Sequence, residues 1–236
     1  MDPSSIFTRL QGGLIVSCQA LEDEPLHGSQ IMAAMARAAV QGGAVGIRAN
    51  SPADITAIRA AVDLPLIGLY KARISGYKVY ITPTVLHACA VAEAGADVIA
   101  LDATQREHPD GLTAAGLIDL VKQQTKKPVL ADVSTLAEGL AAWQAGADAI
   151  STALSGYTGY SPQQEAPDFT LLRKLIAELP IPVLAEGRIA TPEQAARALE
   201  LGAFAVVVGS AITRPQWITR QFAQRMTRRP NGTEIY

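Results

Sequence analysis

Short, unbroken apolar runs alternate with longer stretches of helical periodicity along the whole chain. The runs are GLIVSC (13–18), AVGIRA (44–49), PLIGLYK (65–71), DVIALDA (97–103), PVLADVS (128–134), DAISTAL (148–154), PVLAEGR (182–188) and AVVVGSA (205–211). Each is continuous rather than alternating in polarity, which predicts strands of a parallel sheet covered on both faces. Between them, SQIMAAMARAAVQGG, SPADITAIRAAV, TLAEGLAAWQAG and TPEQAARALELG carry apolar residues at helical spacing. Several of these segments open on Ser or Thr, with Pro or Glu close behind, and end on Gly, the residue types that start and stop helices.

A repeat runs through this pattern. Gly-Ala precedes a strand at Gly43-Ala44, Gly95-Ala96, Gly146-Ala147 and Gly202-Ala203, at intervals of 52, 51 and 56 residues. Each interval holds about two strand–helix units. Eight such units in roughly 220 residues predict a single-domain α/β protein, a (β/α)8 TIM barrel. The runner-up, a doubly wound open sheet, normally carries a glycine fingerprint after its first strand, and IVSCQALEDEPLHGS contains none. One barrel domain is therefore expected over residues 1–236, with loose termini over about 1–9 and 228–236.

In such barrels the chemistry sits where strands end and loops begin. The polar residues predicted there are Gln19, Arg48, Lys71, Asp102, Asp132, Thr152, Glu186, Arg188 and Ser210. A structural salt bridge accounts for any one of them, but burying the whole set costs several kcal/mol per ion unless a ligand compensates. The last two units are the most specific. Gly187 and Arg188 end the seventh run, Gly209 and Ser210 sit in the eighth, and Arg214 lies just beyond. Exposed backbone N–H groups, helix N-termini and two guanidinium groups at that place make a phosphate cradle.

Lys71 ends the third run, beside Arg48 on the neighbouring strand. Desolvation and like charge are expected to depress its pKa and to free it as a general base or a Schiff-base nucleophile. Glu186 lies four strands away around the ring, so the two side chains are expected to face each other across the pocket. A proton acceptor opposite a proton donor suits inversion at a carbon. Thr152, at the end of the sixth run, joins the expected substrate-binding set.

Composition narrows the partners. The 236 residues are 49% hydrophobic and 18% charged, with 20 Lys plus Arg against 22 Asp plus Glu and a net charge of −2. That balance argues against a generally basic nucleic-acid surface. No uncharged apolar run reaches the length of a bilayer span, and MDPSSIFTRLQGG lacks the basic and apolar regions of a secretory signal. A soluble cytoplasmic protein is expected, with Cys18 and Cys89 as free thiols. His27, His87 and His108 fall in loop or helix segments rather than at strand ends, so no metal site is expected. Trp143 and Trp217 fall on helical stretches and read as packing residues.

The segments GGLIVSCQALEDEPL, GIRAN, IGLYK, ADVST, LSGYT, LAEGRIATPEQA and VVVGSAITRP, in that order from about residue 10 to residue 220, resemble the N-acetylmannosamine-6-phosphate 2-epimerases of sialic acid catabolism. The resemblance implies a TIM barrel that interconverts N-acetyl-D-mannosamine 6-phosphate and N-acetyl-D-glucosamine 6-phosphate without metal or organic cofactor. It implies Lys71 and Glu186 as the catalytic pair. Gln19, Arg48 and Asp132 match the residues that hold the sugar hydroxyls and acetamido group, and Gly187, Arg188, Gly209, Ser210 and Arg214 match the phosphate binders. The sequence departs from the family after Lys71. Where members usually continue Lys-Arg-Asp-Tyr, this chain reads Lys71-Ala72-Arg73-Ile74-Ser75-Gly76-Tyr77. Two rival functions also fit the residues: a barrel lyase or synthase forming a Schiff base on Lys71, and a non-catalytic sugar-phosphate binder. The expected partner is a small amino-sugar phosphate, and a homodimer is compatible with this reading.

Overall fold

The computed structural model describes residues 3–227. Its strands are β1 (Leu14–Cys18), β2 (Gly46–Asn50), β3 (Leu66–Leu69), β4 (Val98–Asp102), β5 (Val129–Asp132), β6 (Ala149–Ser151), β7 (Val183–Glu186) and β8 (Ala205–Val208). The helices are α1 (Pro3–Leu10), α2 (Ser29–Gln41), α3 (Pro52–Ala61), α4 (Val85–Glu93), α5 (Ala114–Thr125), α6 (Leu136–Gln144), α7 (Phe169–Glu178), α8 (Pro192–Glu200), α9 (Ser210–Thr213) and α10 (Pro215–Thr227). The eight strands pair in sequence order, all parallel, and β1 closes on β8 through Leu14–Val206, Ile15–Val207 and Val16–Val208. This is the (β/α)8 barrel; closure rules out the open doubly wound sheet.

The period-2 geometry of a strand explains why the runs are apolar throughout. One set of positions fills the barrel interior: Ile15, Ile67, Leu69, Val98, Ala100, Leu130, Ala149, Leu184, Ala205 and Val207 form one buried cluster. The intervening residues, such as Val16, Ile47, Ile99, Ala131, Ile150 and Val206, form a second cluster with the helices. Both faces are dry, so neither can be polar until the strand reaches its end.

Side-chain caps mark the helix starts. Ser51, Thr84, Thr113, Thr135 and Thr191 each accept a bond from the backbone N–H three residues on, and Thr135 with Glu138 completes a capping box. The Gly-Ala repeat has a matching cause at the other end. Gly43, Gly95, Gly146 and Gly202 take φ of +92° to +103°, a left-handed step that ends each helix and turns the chain toward the next strand.

The start of the chain corrects an expectation. Residues from Pro3 are not loose but form α1, and Ile6, Phe7 and Leu10 are buried in the interior cluster, closing the end of the barrel opposite the strand C-termini. Leu10 seats on β2 at Gly46, where a Cβ would come 2.4 Å from Leu10 Cδ2. The expected loose tail at 228–236 lies outside the described residues. Among the described residues no helix is long and apolar enough to cross a membrane.

If α1 is a plug, Leu10→Ala should cost about 2–5 kcal/mol of stability, the range for deleting a fully buried leucine. Urea unfolding measures it. A loss below about 1 kcal/mol would show that α1 merely rests on the barrel.

Candidate active site

A cavity of about 1260 Å³ opens at the C-terminal ends of the strands. Its wall follows the interior set of strand positions one step further: Ser17 and Gln19, Arg48 and Asn50, Leu69 and Lys71, then Glu186, Val207 and Gly209. Of the expected site residues, Gln19, Arg48, Lys71, Glu186, Gly187, Arg188, Gly209, Ser210 and Arg214 line it. Asp132 and Thr152 do not. Asp132, two residues beyond the interior Leu130, is buried on the inward face without reaching the cavity lining, Thr152 stands behind the wall, and each serves a residue that does face the cavity.

Asp132, fully buried, receives Arg48 through both terminal nitrogens, with Nη1 to Oδ1 at 3.1 Å and Nη2 to Oδ2. Arg48 Nη1 also donates to Glu186 Oε2. One buried guanidinium thus spans β5 and β7 from β2. It leaves Arg48 Nε buried with no hydrogen-bond partner among the described residues. Burial is the largest influence on Glu186 and pushes its carboxyl up to about 7; the Arg48 charge opposes that rise and Asp132 adds to it. Asp132 is likewise raised by burial and pulled back by Arg48.

Thr152 holds the backbone beneath the carboxylate. Its Oγ1 donates to Glu186 O at 2.8 Å and accepts from Glu186 N at 3.0 Å. The neighbouring Ser151 Oγ donates to Glu186 Oε2 at 3.1 Å. Sequence reasoning expected Thr152 on the substrate, whereas its hydroxyl engages the Glu186 backbone, and it did not name Ser151. The available signal was the polar step Ser151-Thr152 at the end of an otherwise apolar strand.

Lys71 sits just past β3, where its backbone N–H donates to Asn50 Oδ1 at 2.7 Å and it bridges antiparallel to Ile81. Ala72 N donates to Tyr80 O at 2.9 Å and Thr82 N to Tyr70 O at 2.7 Å, so the divergent segment is a flap with both ends pinned. Within it Arg73 lines the cavity, as does Tyr80 at its far end, whose phenol is pushed up mainly by burial and then by Asp132. The lysine ammonium holds no ion pair among the described residues. Burial lowers its pKa to about 8; the Arg48 and Arg214 charges lower it too, and Glu186 and Glu24 pull the other way. Lys71 and Glu186 therefore feel each other's charge across the cavity. Asn50 was missed, although GIRAN places it two residues from Arg48 and hence on the same strand face.

Where the phosphate cradle was expected, Gly187 and Arg188 take φ of +98° and +58°, turning successive backbone groups at the end of β7. A left-handed arginine costs about 1–2 kcal/mol and marks a constrained segment. Its guanidinium, however, is engaged with the loop after β6: Nη2 donates to Ser155 O at 2.7 Å and the group lies 5.1 Å from the Tyr157 ring centroid. Across the mouth, Arg214 Nη1 donates to Ser210 Oγ at 3.2 Å, and Nε lies 2.7 Å from Glu24 Oε1. His27 and Trp217, expected in loop and packing roles, also reach the cavity wall. No group of three or more His, Cys, Asp or Glu able to hold a metal occurs among the described residues.

Comparison with known proteins places this geometry. Residues 32–228 match the model of a family described as "Putative N-acetylmannosamine-6-phosphate epimerase". A relative from Caldanaerobacter subterraneus subsp. tengcongensis named "Putative N-acetylmannosamine-6-phosphate 2-epimerase" is 55% identical over 218 residues, 92% of each chain. A relative of the same name from Thermosynechococcus vestitus is 51% identical, covering 89% of this chain and 91% of its own. The solved N-acetylmannosamine-6-phosphate 2-epimerase from Clostridium perfringens superposes with a TM-score of 0.90 at 47% identity, over 93% of this chain and 95% of that one. A thiamine phosphate pyrophosphorylase from Pyrococcus furiosus, at 20% identity and a TM-score of 0.56, shares the fold alone.

The position of Thr152 has a measurable consequence. Thr152→Val removes a donor and an acceptor from the Glu186 backbone, costing about 1–3 kcal/mol of stability. Because Thr152 does not touch the cavity, turnover should fall while KM stays within about threefold. A large rise in KM with unchanged kcat would return Thr152 to the substrate-contacting set.

Proposed function

The chain belongs to the N-acetylmannosamine-6-phosphate epimerase family, and on that premise we propose how its own residues carry out the reaction. The enzyme is an isomerase of N-acetyl-D-mannosamine 6-phosphate and N-acetyl-D-glucosamine 6-phosphate. The two differ only in configuration at C2, whose hydrogen becomes removable when the ring opens and C1 is an aldehyde. Neutral Lys71 takes the C2 proton through its Nζ lone pair. The C–H electrons move into the C1–C2 bond, and the carbonyl π electrons go to oxygen as an enolate. Glu186, protonated, delivers a proton to the opposite face of C2, the carbonyl reforms, and the epimer results. Gly187, Gly209, Ser210 and Arg214 hold the phosphate end, and Gln19 with Arg73 and Tyr80 faces the sugar.

The observation that carries this reading is the pairing of Lys71, lowered to about 8, with Glu186, raised to about 7, on opposite walls of one cavity. Epimerisation must run in both directions. Forward, the pair starts as neutral lysine and neutral acid; in reverse it starts as ammonium and carboxylate. These two states bind the same number of protons and differ only in where one proton sits. Groups of ordinary pKa differ by about six units, which would starve one direction about a million-fold. Bringing them within about a unit keeps both states populated. The buried Arg48 bridge fits the same purpose, since it holds Glu186 in place through either protonation state. The enzyme is read as cytoplasmic, with no nucleic-acid partner; a homodimer is compatible with this reading.

Incubating N-acetylmannosamine 6-phosphate in D2O and following proton NMR tests the reaction course. The gluco isomer should appear with deuterium at C2; reduction by borohydride that traps substrate on Lys71 would instead support the Schiff-base lyase. Lys71→Met should lower turnover by about 10²–10⁴-fold, the contribution of a positioned base, with substrate binding retained. Activity within about tenfold of wild type would remove Lys71 from the mechanism.

The pH dependence follows with a definite sign. Lysine must lose its proton, so kcat/KM rises with pH toward about 8; the acid must keep its proton, so kcat/KM falls above about 7. The product is a narrow bell centred midway between the two, the limbs belonging to the pair rather than to either group. The same bell should appear in both reaction directions. A single sigmoid rising to high pH would exclude Glu186 as the proton donor.

A further inference from the structure

At the cavity end of the seam where β1 meets β8, one carboxylate links the loop after β1 to the segment after β8. Glu24, in the loop after β1, lies behind the cavity wall rather than in it, while Arg214, just past α9, lines the cavity. Glu24 takes Arg214 in two-pronged fashion, with Nε to Oε1 at 2.7 Å and Nη2 to Oε2 at 2.8 Å. It also accepts from Gln216 Nε2 at 3.2 Å, and from the N–H of Leu21 in its own loop at 2.9 Å. We propose that Glu24 is a positioning residue for the phosphate end of the substrate, fixing the Arg214 guanidinium across the barrel seam so that its remaining N–H groups point at the anion. This rests on the phosphate-cradle reading given above.

Both ends of the contact are stiff. Glu24 precedes Pro25 and Arg214 precedes Pro215, and a residue before proline is confined to extended backbone. Arg214 accordingly has φ −122° and ψ 85°, breaking the helical path between α9 and α10. The backbone beneath is tied to β1, where Thr213 Oγ1 donates to Ser17 O at 3.0 Å. Donor accounting shows what is left for a ligand. A guanidinium carries five N–H groups. One Nη2–H goes to Glu24 and one Nη1–H goes to Ser210 Oγ, while Nε rests against Glu24 Oε1 as the second contact of the ion pair. One N–H remains on each terminal nitrogen, the fork that grips two phosphate oxygens.

The arrangement also sets the charge. With Glu24 compensating Arg214, the cradle offers directed donors rather than a bare positive charge. Phosphate recognition then depends on alignment, which Glu24 supplies, more than on net attraction. Alone, the charge would attract any anion.

A double-mutant cycle with Arg214 separates positioning from simple support of the fold. Glu24→Ala should raise the inhibition constant of inorganic phosphate and the KM of the phosphorylated substrate by about tenfold, the size of one charge-assisted hydrogen bond lost. Activity on unphosphorylated N-acetylmannosamine should change far less, since Glu24 reaches Lys71 only through its charge. In an Arg214→Ala background, Glu24→Ala should add less than about twofold, because two residues acting through one contact are not additive. Glu24→Gln, which keeps an acceptor facing the guanidinium, should recover part of the loss and covers the case in which the alanine variant does not fold. Equal loss on the free sugar, or full additivity with Arg214→Ala, would overturn the role of Glu24 while leaving the cradle intact. If inorganic phosphate does not compete in the wild type, the cradle reading fails and the proposal fails with it.

Discussion

The site depends on one buried arginine. Arg48 reaches from β2 into the centre of the barrel mouth, is almost wholly removed from water, and is held by Asp132 on β5 and Glu186 on β7. A guanidinium cannot shed its proton in a protein, so its charge must be met where it lies. Two carboxylates are nearby, and the bidentate bond to Asp132 already balances the charge. Glu186 therefore need not be ionised to satisfy Arg48. When Glu186 is protonated, Arg48 keeps its partner in Asp132; when it is ionised, its Oε2 keeps the Arg48 and Ser151 donors, so neither state leaves Arg48 without a counter-charge or Glu186 without a hydrogen-bond partner.

The barrel makes that economy available. Three strands separated around the ring point alternate residues at a common axis, and only at their C-terminal ends does the interior stop being apolar. Below the arginine the same positions carry Ile15, Ile67, Val98, Leu130 and Leu184, closed at the bottom by α1. The dry layer excludes water from beneath the ion network. It is also what moves Lys71 and Glu186 toward each other in acidity, because burial is the first cause in both cases and acts in opposite directions on a cation and an anion.

The loops divide the remaining work. Those after β7 and β8 offer backbone and arginine donors, whereas the segment after β3 forms a pinned flap that brings Arg73 and Tyr80 to the wall. Its ends are fastened by backbone bonds that any residue can make. Arg188 shows the opposite case. Its place in the sequence suits a phosphate contact, while its guanidinium stacks on Tyr157 and braces the loop after β6.

Periodicity alone determined the architecture of this protein, because a strand covered on both faces must be apolar throughout and a helix must end where glycine lets the chain turn. It also placed Lys71, Arg48 and Glu186 at strand ends, since charge inside a barrel is tolerable only there. What it could not determine was which polar strand ends reach the cavity and which do not. Asp132 and Thr152 have the same sequence signature as Glu186, yet one balances Arg48 and the other clasps a backbone. Nor could it link Glu24 with Arg214, which are 190 residues apart. Those assignments depend on strand register and ring closure, which bring distant residues within hydrogen-bond reach, and local periodicity carries no record of that distance.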